Sequence, residues 1–314
     1  MSAFKKSIKS VIESLGIRIS RIEKASTNPF MSKGIMRKDW EARGEGYYIK
    51  GLDLHLSNVS DAANISYYYA KRIYDLLGGR FRSQDGKLLL SFNGLQFQIN
   101  DAEELYIINE VFIEEHYNYL NGDDSYALVD IGQNVGITSV FFAAKKNVTK
   151  VYGFELFPKT SELTRKNISL NNMQGKIINN SYGLGSSDQE LSIPYSSRSK
   201  GRMGFDGVPT DIKSDIIQEK VLVKDAYNEI AAIREAEKGN KLVCKIDCEG
   251  AEYDILNRLS EKGALSYFDV FLIEWHNNDD PGKLVRYLSD SNFHCVKKTF
   301  EEITSGMIYA FKKQ

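Results

Sequence analysis

The residues best suited to chemistry fall into two short segments, and the first is a glycine-rich loop. Asp130 stands two residues before Gly132, and Asn134 and Gly136 follow. Glycines at these positions let the backbone turn tightly and approach a ligand that lies over the N-terminus of the next helix. Glu155 follows at a spacing of about 20 residues, which suits hydrogen bonding to the two hydroxyls of a ribose. The loop therefore predicts a site for a nucleotide-type cofactor.

The chemistry around this loop distinguishes two such cofactors. A nicotinamide site uses G-x-G-x-x-G to admit a pyrophosphate, whereas this loop reads G-x-x-x-G with a carboxylate, Asp130, just before it. That carboxylate would repel a pyrophosphate. It suits a ligand that carries an ammonium group and no phosphate, as S-adenosylmethionine does. The alternative is an ordinary glycine-rich turn between a strand and a helix.

The second segment carries Lys245, Asp247 and Glu249 at the end of an apolar run, and a later run ends with Glu274 and His276. Alternate residues of a strand share a face. If the two strands are neighbours, as chain order suggests, all five side chains meet at the sheet edge where open α/β sheets bind ligands. His276 is the first candidate for a general base, with an apparent pKa of ~6.5 unless shifted. Asp247 and Glu249 are the next candidates, or orient the acceptor.

Simpler roles exist for several of these residues. Lys245 and Glu274 could form a structural ion pair across two strands, Glu252 could favour the positive end of the next helix, and His276 could be a loop residue that water satisfies. No metal site is assigned, although a divalent cation on Asp247 and Glu274 is left open. Charged groups are costly to bury without a purpose, so their concentration at one edge favours a functional site.

The elements that must position these groups alternate from residue 126 onwards. Helices are predicted at 137–146 and 159–172. This alternation is typical of a parallel sheet with helices on both faces, and the short loop between the last two strands makes those two antiparallel. The predicted strands are 127–131, 150–154, 175–180, 242–247, 269–274, 292–299 and 306–312.

Residues 1–100 are predicted to form an N-terminal extension of the catalytic domain at 101–314. The extension begins with an amphipathic, basic helix in residues 1–20, which suits either an anionic membrane surface or packing on the protein's own core. Residues 24–50 are predicted to be a loop. A helix over 66–77, a β-hairpin turning at Asn93-Gly94 and a helix over 102–118 follow.

Composition excludes several classes of protein. The 314 residues carry 41 basic and 42 acidic side chains and a net charge of −1, unlike the strongly basic domains that bind nucleic acid. No apolar run reaches the ~20 residues that span a bilayer. Three cysteines make a disulfide framework unlikely and predict a cytoplasmic protein, with residues 1–20 as a potential peripheral contact with the inner face of the membrane.

Three segments together resemble the FkbM-type S-adenosylmethionine-dependent methyltransferases. The similarity covers about residues 100–312, and the second segment is the most specific. The resemblance implies a Rossmann-like seven-stranded sheet whose final antiparallel strand is inserted between two others. It also implies O-methylation, often of sugar hydroxyls in glycans, lipopolysaccharides or glycosylated natural products. The segments are V-D-I-G-Q-N-V-G (129–136), K-I-D-C-E-G-A-E (245–252) and I-E-W-H (273–276).

The resemblance also implies roles for individual residues. The loop residues Asp130, Gly132, Asn134 and Gly136 would contact the amino-acid end of the cofactor, and Glu155 its ribose. The segment after the third strand, with Ser181, would lie near the adenine, and Asp247 would face both cofactor and acceptor. Further candidate contacts to the acceptor are Arg198, Lys200 and Arg202, unless their loop is simply solvated.

The expected acceptor is a small molecule or a glycan. A methyltransferase that acts on another small molecule or on nucleic acid, and a non-catalytic S-adenosylmethionine-binding protein, are the alternatives. Against nucleic acid stand the net charge and the absence of an N/D-P-P-Y motif or a catalytic Pro-Cys.

Overall fold

The computed structural model describes residues 28–118, 124–197, 199–205, 207–276, 279–300 and 305–313. The predicted helix in residues 1–20 and its membrane contact lie outside these ranges. No helix in the described ranges is long and apolar enough to cross a membrane. The first part of the chain forms two small antiparallel sheets and two helices: β1 (Trp40–Arg43), β2 (Gly46–Ile49), β3 (Leu54–Leu56), α1 (Tyr67–Leu77), β4 (Arg80–Gln84), β5 (Lys87–Phe92), β6 (Leu95–Ile99) and α2 (Glu103–Phe112).

The loop predicted for residues 24–50 is wrong where β1 and β2 pair antiparallel. Each strand has only four residues, too few for an apolar alternation to stand out. Aromatic contacts stabilise this corner instead, because the ring of Phe30 lies 5.1 Å from that of Trp40 and 5.3 Å from that of Tyr47.

The predicted helix over 66–77 and the predicted β-hairpin are confirmed, whereas the helix predicted over 102–118 is shorter than expected. Helix α1 ends at Gly78 in the left-handed conformation, and the hairpin of β5 and β6 turns at Asn93 and Gly94 with φ values of 50° and 77°. Helix α2 ends at residue 112 rather than 118, because the chain turns away and Glu115 takes a positive φ of 55°.

The central sheet has the predicted seven strands, and each lies within three residues of its predicted bounds. The strands are β7 (Tyr126–Ile131), β8 (Val148–Phe154), β9 (Ile177–Asn180), β13 (Lys241–Ile246), β14 (Val270–His276), β15 (Phe293–Thr299) and β16 (Ser305–Lys312). Their order in the sheet is β15-β16-β14-β13-β7-β8-β9, with β16 antiparallel between β14 and β15 and the remaining strands parallel. The inserted antiparallel strand is therefore confirmed.

Helices and apolar clusters cover both faces of this sheet, as buried parallel strands require. One cluster joins residues of the N-terminal part, such as Phe30 and Phe97, to Leu128 and Tyr309 in the sheet. The other cluster packs three later helices against the opposite face, namely α5 (Ala226–Ala236), α6 (Glu252–Glu261) and α7 (Pro281–Asp290). The remaining helices after α2 are α3 (Ile137–Ala143) and α4 (Pro158–Leu170).

A third small sheet is formed by the chain between β9 and α5, where the sequence predicts no strand. It consists of β10 (Gly183–Gly185), β11 (Gln189–Ser196) and β12 (Ile216–Asp225), in the order β10-β12-β11. Its pattern is hard to detect because β12 buries Glu219 and Asp225 alongside Val221 and Val223, and exposes Leu222. The chain between β11 and β12 includes residues 199–205, which we call the strap. Every residue of the strap except Ser199 lines one of the two cavities described below.

Candidate active site

The carboxyl ends of β13 and β14 meet, as predicted from chain order. The strands pair in parallel with Ile246 opposite Ile273, and β7 pairs on the other side of β13. Lys245, Asp247, Glu249, Glu274 and His276 all line one cavity of about 600 Å³, together with residues 132–135 of the glycine-rich loop. The two segments that the sequence singles out therefore share one site.

The glycine-rich loop packs directly against the end of β13. Gly132 has a φ of +78°, and a Cβ there would lie 1.6 Å from the carbonyl oxygen of Asp247. Gly136 has a φ of +82°, and a Cβ there would lie 2.8 Å from Cγ2 of Thr164. Only glycine fits this close approach without strain. The backbone of the loop is thereby fixed before any ligand arrives.

Glu155 is held by the same loop. Its Oε2 accepts a hydrogen bond of 2.8 Å from the amide of Asn134, and its Oε1 accepts one of 3.0 Å from the amide of Phe157. Burial raises the pKa of Glu155 to about 7, against the opposing effect of these two hydrogen bonds. Glu155 lines a second, smaller cavity of about 60 Å³. Gly183 and Leu184 line that cavity, whereas Ser181, predicted to lie near an adenine, lines neither cavity.

Asp130 lies beneath the loop and lines neither cavity. It is fully buried, accepts a hydrogen bond of 2.6 Å from the hydroxyl of Ser139 and lies 3.2 Å from Nζ of Lys245. Lys245 also donates to the carbonyl of Gly132 at 2.7 Å and lies 3.6 Å from Asp247. Its ion-pair partners among the described residues are thus Asp130 and Asp247, and the alternative ion pair with Glu274 is not formed. Burial disfavours the charge of Lys245, but the two carboxylates outweigh burial and raise its pKa.

His276 lies between two carboxylates. Its Nδ1 is 3.1 Å from Oε1 of Glu252 and its Nε2 is 3.6 Å from Oε2 of Glu249. Glu252 is fully buried and also accepts hydrogen bonds from the amides of Cys248 and Gly250, so it fixes both the turn and the imidazole. Glu252 therefore does more than favour the start of α6.

The carboxylates change the titration of His276. Burial opposes its charged form, but the hydrogen bond to Glu252 and the charges of Glu249, Glu252 and Asp247 raise the pKa of His276 to about 10. A shift in this direction favours the imidazolium form of His276 at neutral pH, and it argues against the predicted neutral base with a pKa of ~6.5. Burial raises the pKa of Glu249 to about 7, with the charge of His276 acting in the opposite direction. Glu274 has a pKa raised well above its ordinary value, first by burial and then by Asp247 and Glu110.

The same corner has the donor atoms for a cation. One ligand atom each from Asp247, Glu249 and His276 lies within 4.8 Å of the others, close enough for a divalent metal ion to be held by oxygen and nitrogen.

A comparison with known families decides the class of this site. The family model of the methyltransferase FkbM domain matches residues 130–295, more than half of the chain. The chain belongs to the FkbM methyltransferase domain family. The matched stretch contains the glycine-rich loop, Glu155 and the whole carboxylate and histidine cluster. The resemblance in sequence is therefore confirmed, and the protein is a methyltransferase.

Individual relatives of this FkbM domain carry the same class of name. The chain is 26% identical over 171 residues to Methyltransferase 1 of Beauveria bassiana, covering 50% of this chain and 68% of that protein. It is 22% identical over 230 residues to Methyltransferase sdnD of Sordaria araneosa, covering 65% and 88%. A crystal structure of Methyltransferase FkbM from Methylobacillus flagellatus aligns with a TM-score of 0.44 and 14% identity over 80% of this chain and 56% of that one.

The wall of the large cavity opposite the FkbM motifs comes from residues before 130, which the family model does not match. Helix α2 lines the cavity with Glu103, Tyr106, Ile107 and Glu110. The hydroxyl of the buried Tyr117 lies 3.4 Å from Asp247 and 3.5 Å from Glu274. Sequence reasoning missed these residues. One signal could have revealed them. Glu103 and Glu110 share a face of α2 with Ile107, whereas a helix that packs on a core usually has an apolar stripe.

The strap closes the FkbM site from the third side. The buried ammonium of Lys200 pairs with Asp101 and, at 3.4 Å, with Glu104, and the amide of Gly201 donates to Glu103 at 3.1 Å. The ammonium of Lys200 therefore holds the strap against the start of α2. Arg202 lines the large cavity while it pairs with Asp211 at 2.9 Å. Arg198, the remaining cation predicted here, lies outside the described residues.

Proposed function

We propose that this FkbM protein is an S-adenosylmethionine-dependent O-methyltransferase that methylates a sugar hydroxyl in a glycan, a lipopolysaccharide or a glycosylated metabolite. The observation that carries the proposal is a single cavity that joins a glycine cradle for a nucleoside cofactor to a carboxylate and imidazolium cluster suited to a hydroxyl group. Cofactor binding, the kind of acceptor and the roles of individual residues are all parts of this proposal.

The residues fit S-adenosylmethionine. At Gly132 the loop lies so close to the carbonyl of Asp247 that a Cβ would fill the space between them. Two backbone amides position the carboxylate of Glu155, and Leu184 gives the small cavity an apolar wall. The large cavity contains several carboxyl groups, and those that are ionised attract a sulfonium and an ammonium. The bound cofactor would supply the methyl group. Asp130 would act through Lys245, by holding the carbonyl of Gly132 in place.

The cluster at the ends of β13 and β14 would prepare the acceptor. A sugar hydroxyl is a weak acid and needs a base for its proton. Because His276 is charged at neutral pH, we assign the proton to the carboxylate of Glu249, whose pKa of about 7 is close to the working pH. His276 would orient Glu249 from 3.6 Å, and Asp247 and Glu274, with Tyr117 between them, would bind the neighbouring hydroxyls of the sugar.

Two measurements test this function. Isothermal calorimetry with S-adenosylmethionine should show binding by the full chain, which a protein that had lost the cofactor site would not. Mass spectrometry of host glycans, with and without the gene, should then show a difference of one methylene group in mass. Binding without any such difference in glycans or glycosylated metabolites would contradict the proposed acceptor. A methyl group found on RNA instead would replace this proposal with the nucleic-acid alternative.

A further inference from the structure

We propose that Tyr106, Tyr69 and Tyr68 form a subsite that binds a second sugar unit of the acceptor. We call these three residues the tyrosine row. The inference rests on the proposed function, because it concerns the part of a glycan that extends beyond the methylated unit. It assigns a role in acceptor selection to helix α1, which comes well before the residues matched by the family model in the sequence.

The row runs continuously from the cavity to the surface. Tyr106 lines the large cavity and is 41% exposed, so it stands at the cavity's mouth. The ring of Tyr69 lies 5.3 Å from that of Tyr106 with an interplanar angle of 66°, and the ring of Tyr68 lies 5.0 Å from that of Tyr69 at 77°. Tyr68 is 63% exposed. Two helices that are distant in sequence thus place three tyrosines edge to face along one path.

The chemistry of the row suits a carbohydrate. The exposed parts of the Tyr68 and Tyr106 rings can pack on the C–H groups of a pyranose, and the hydroxyl of Tyr68 can bond to a sugar hydroxyl. Arg72 adds a donor beside the row, because its Nη1 lies 3.4 Å from the hydroxyl of Tyr68. Asn109 and Glu114 hold that guanidinium, at 2.7 Å from Nε and 3.7 Å from Nη2. The subsite is therefore partly organised before a ligand binds.

The neighbouring carboxyl groups suit a ligand that is rich in hydroxyl groups. Glu103 and Glu110 lie on the same face of α2 as Tyr106, within the cavity that the row leads to. Burial raises the pKa of both groups, and a carboxyl group can bond to a neutral hydroxyl as an acceptor or, when protonated, as a donor. An oligosaccharide satisfies both features of this wall, the aromatic rings outside and the carboxylates inside.

The size of the cavity explains why a subsite is needed. A space of about 600 Å³ must accept both the reactive end of the cofactor and the sugar unit that is methylated. Any further sugar units of the acceptor must lie outside the mouth. Because Tyr106 forms part of that mouth, the next unit meets the row first.

The test compares variants of Tyr68, which is outside the cavity lining, with a matched control on the same helix. The probes are the intact glycan from a host that lacks the gene and the monosaccharides released from that glycan. For Tyr68→Ala, we expect kcat/KM for the intact glycan, relative to that for the monosaccharides, to fall about tenfold through a higher KM. Tyr68→Phe keeps the ring and should retain most of that preference. Leu76→Ala, also at a side chain 63% exposed on α1, should leave the ratio unchanged.

Other outcomes overturn the inference in distinguishable ways. A ratio within about twofold of wild type in Tyr68→Ala, or an equal loss in Leu76→Ala, would show that the row does not select the acceptor. Loss of methylation that is the same for glycan and monosaccharides would also refute it. If wild-type protein binds S-adenosylmethionine but methylates no glycan, the proposed function has failed, and the subsite falls with it.

Discussion

The two sides of the site differ in how their charges are compensated. On the side of the glycine-rich loop, Asp130 faces Lys245, and Glu155, although burial raises its pKa to about 7, accepts two backbone hydrogen bonds that oppose this shift. On the side of α2 and β14, Glu110, Glu249 and Glu274 all have pKa values raised mainly by burial, and His276 lies within 4 Å of only the second of these. One side is internally balanced, whereas the other carries negative charge that a proton or a ligand must balance.

This difference indicates that the two sides of the site have different functions. A balanced and closely packed cradle stays in place between turnovers, which suits the recognition of an invariant cofactor. On the other side, the carboxyl groups of Glu110, Glu249 and Glu274 have raised pKa values and no backbone amide of the described residues holds them, so they can exchange protons and hydrogen bonds with a ligand, which suits a reacting hydroxyl. Substitutions on the loop side should therefore affect stability and cofactor affinity, and substitutions on the α2 and β14 side should affect turnover.

The largest expected effect concerns the balance beneath the loop. Lys245→Ala should destabilise the protein by about 3–5 kcal/mol, because Asp130 would remain buried without its cation. Urea unfolding followed by circular dichroism measures this. Lys283→Ala removes an exposed ion pair with Asp279, which the solvent screens, and should change the free energy of unfolding far less. Equal effects of the two variants would mean that the loop side is no better balanced than the surface.

The next effect tests the reacting side. Glu249→Gln should lower kcat by about 10²–10³-fold, because the amide cannot take the acceptor's proton, while the affinity for S-adenosylmethionine stays nearly constant. In wild type, kcat should fall as the pH drops below about 7, since the protonated form of Glu249 is inactive as a base. Steady-state rates across pH measure both effects.

His276→Ala sharpens that prediction. The charge of His276 lowers the pKa of Glu249, so its removal should move the acidic limb of the pH profile to higher pH. A limb that disappears in His276→Ala but persists in Glu249→Gln would instead make His276 the base. The exposed Glu261→Gln, on helix α6, serves as the control for loss of one carboxylate.

A smaller effect is expected at the ribose position. Glu155→Ala should weaken S-adenosylmethionine binding by about 1.5–3 kcal/mol, the contribution of a hydrogen bond to a charged group, without unfolding the protein. Calorimetry gives the affinity, and circular dichroism confirms the fold. Unchanged affinity in a folded variant would separate Glu155 from the cofactor and leave it as a loop-binding residue only.

Chain order and apolar periodicity were sufficient to predict the central sheet and the meeting of its strand ends. Strand β7 buries all six of its residues, which appears in the sequence as a short apolar run before the glycine-rich loop. Neither signal reports which charges pair. By strand parity, Lys245 could pair with either Asp130 or Glu274. The packing of the loop determines that it pairs with Asp130.

The sequence also could not predict contacts between residues far apart in the chain, or the pKa shifts that burial and neighbouring charges cause. Tyr117 reaches Asp247 from 130 positions away, across a turn that no motif marks. The raised pKa of His276 follows from Glu249 and Glu252, which lie on either side of the ring only because the turn before α6 folds back on itself. Periodicity predicts elements, but a site of this kind depends on which side chains are buried together.

The smallest expected effect concerns divalent metal. Asp247, Glu249 and His276 could hold a cation, yet the imidazolium of His276 already supplies positive charge between Glu249 and Glu252. We therefore expect EDTA to change kcat by less than about twofold, because a hydroxyl that loses its proton to Glu249 needs no Lewis acid. The measurement is the rate with EDTA, and then with Mg²⁺ or Mn²⁺ added back. If EDTA abolished activity and Mn²⁺ restored it, a metal ion would balance the charge of the α2 and β14 side. Both sides of the site would then be balanced, and His276 would be a ligand rather than a cation.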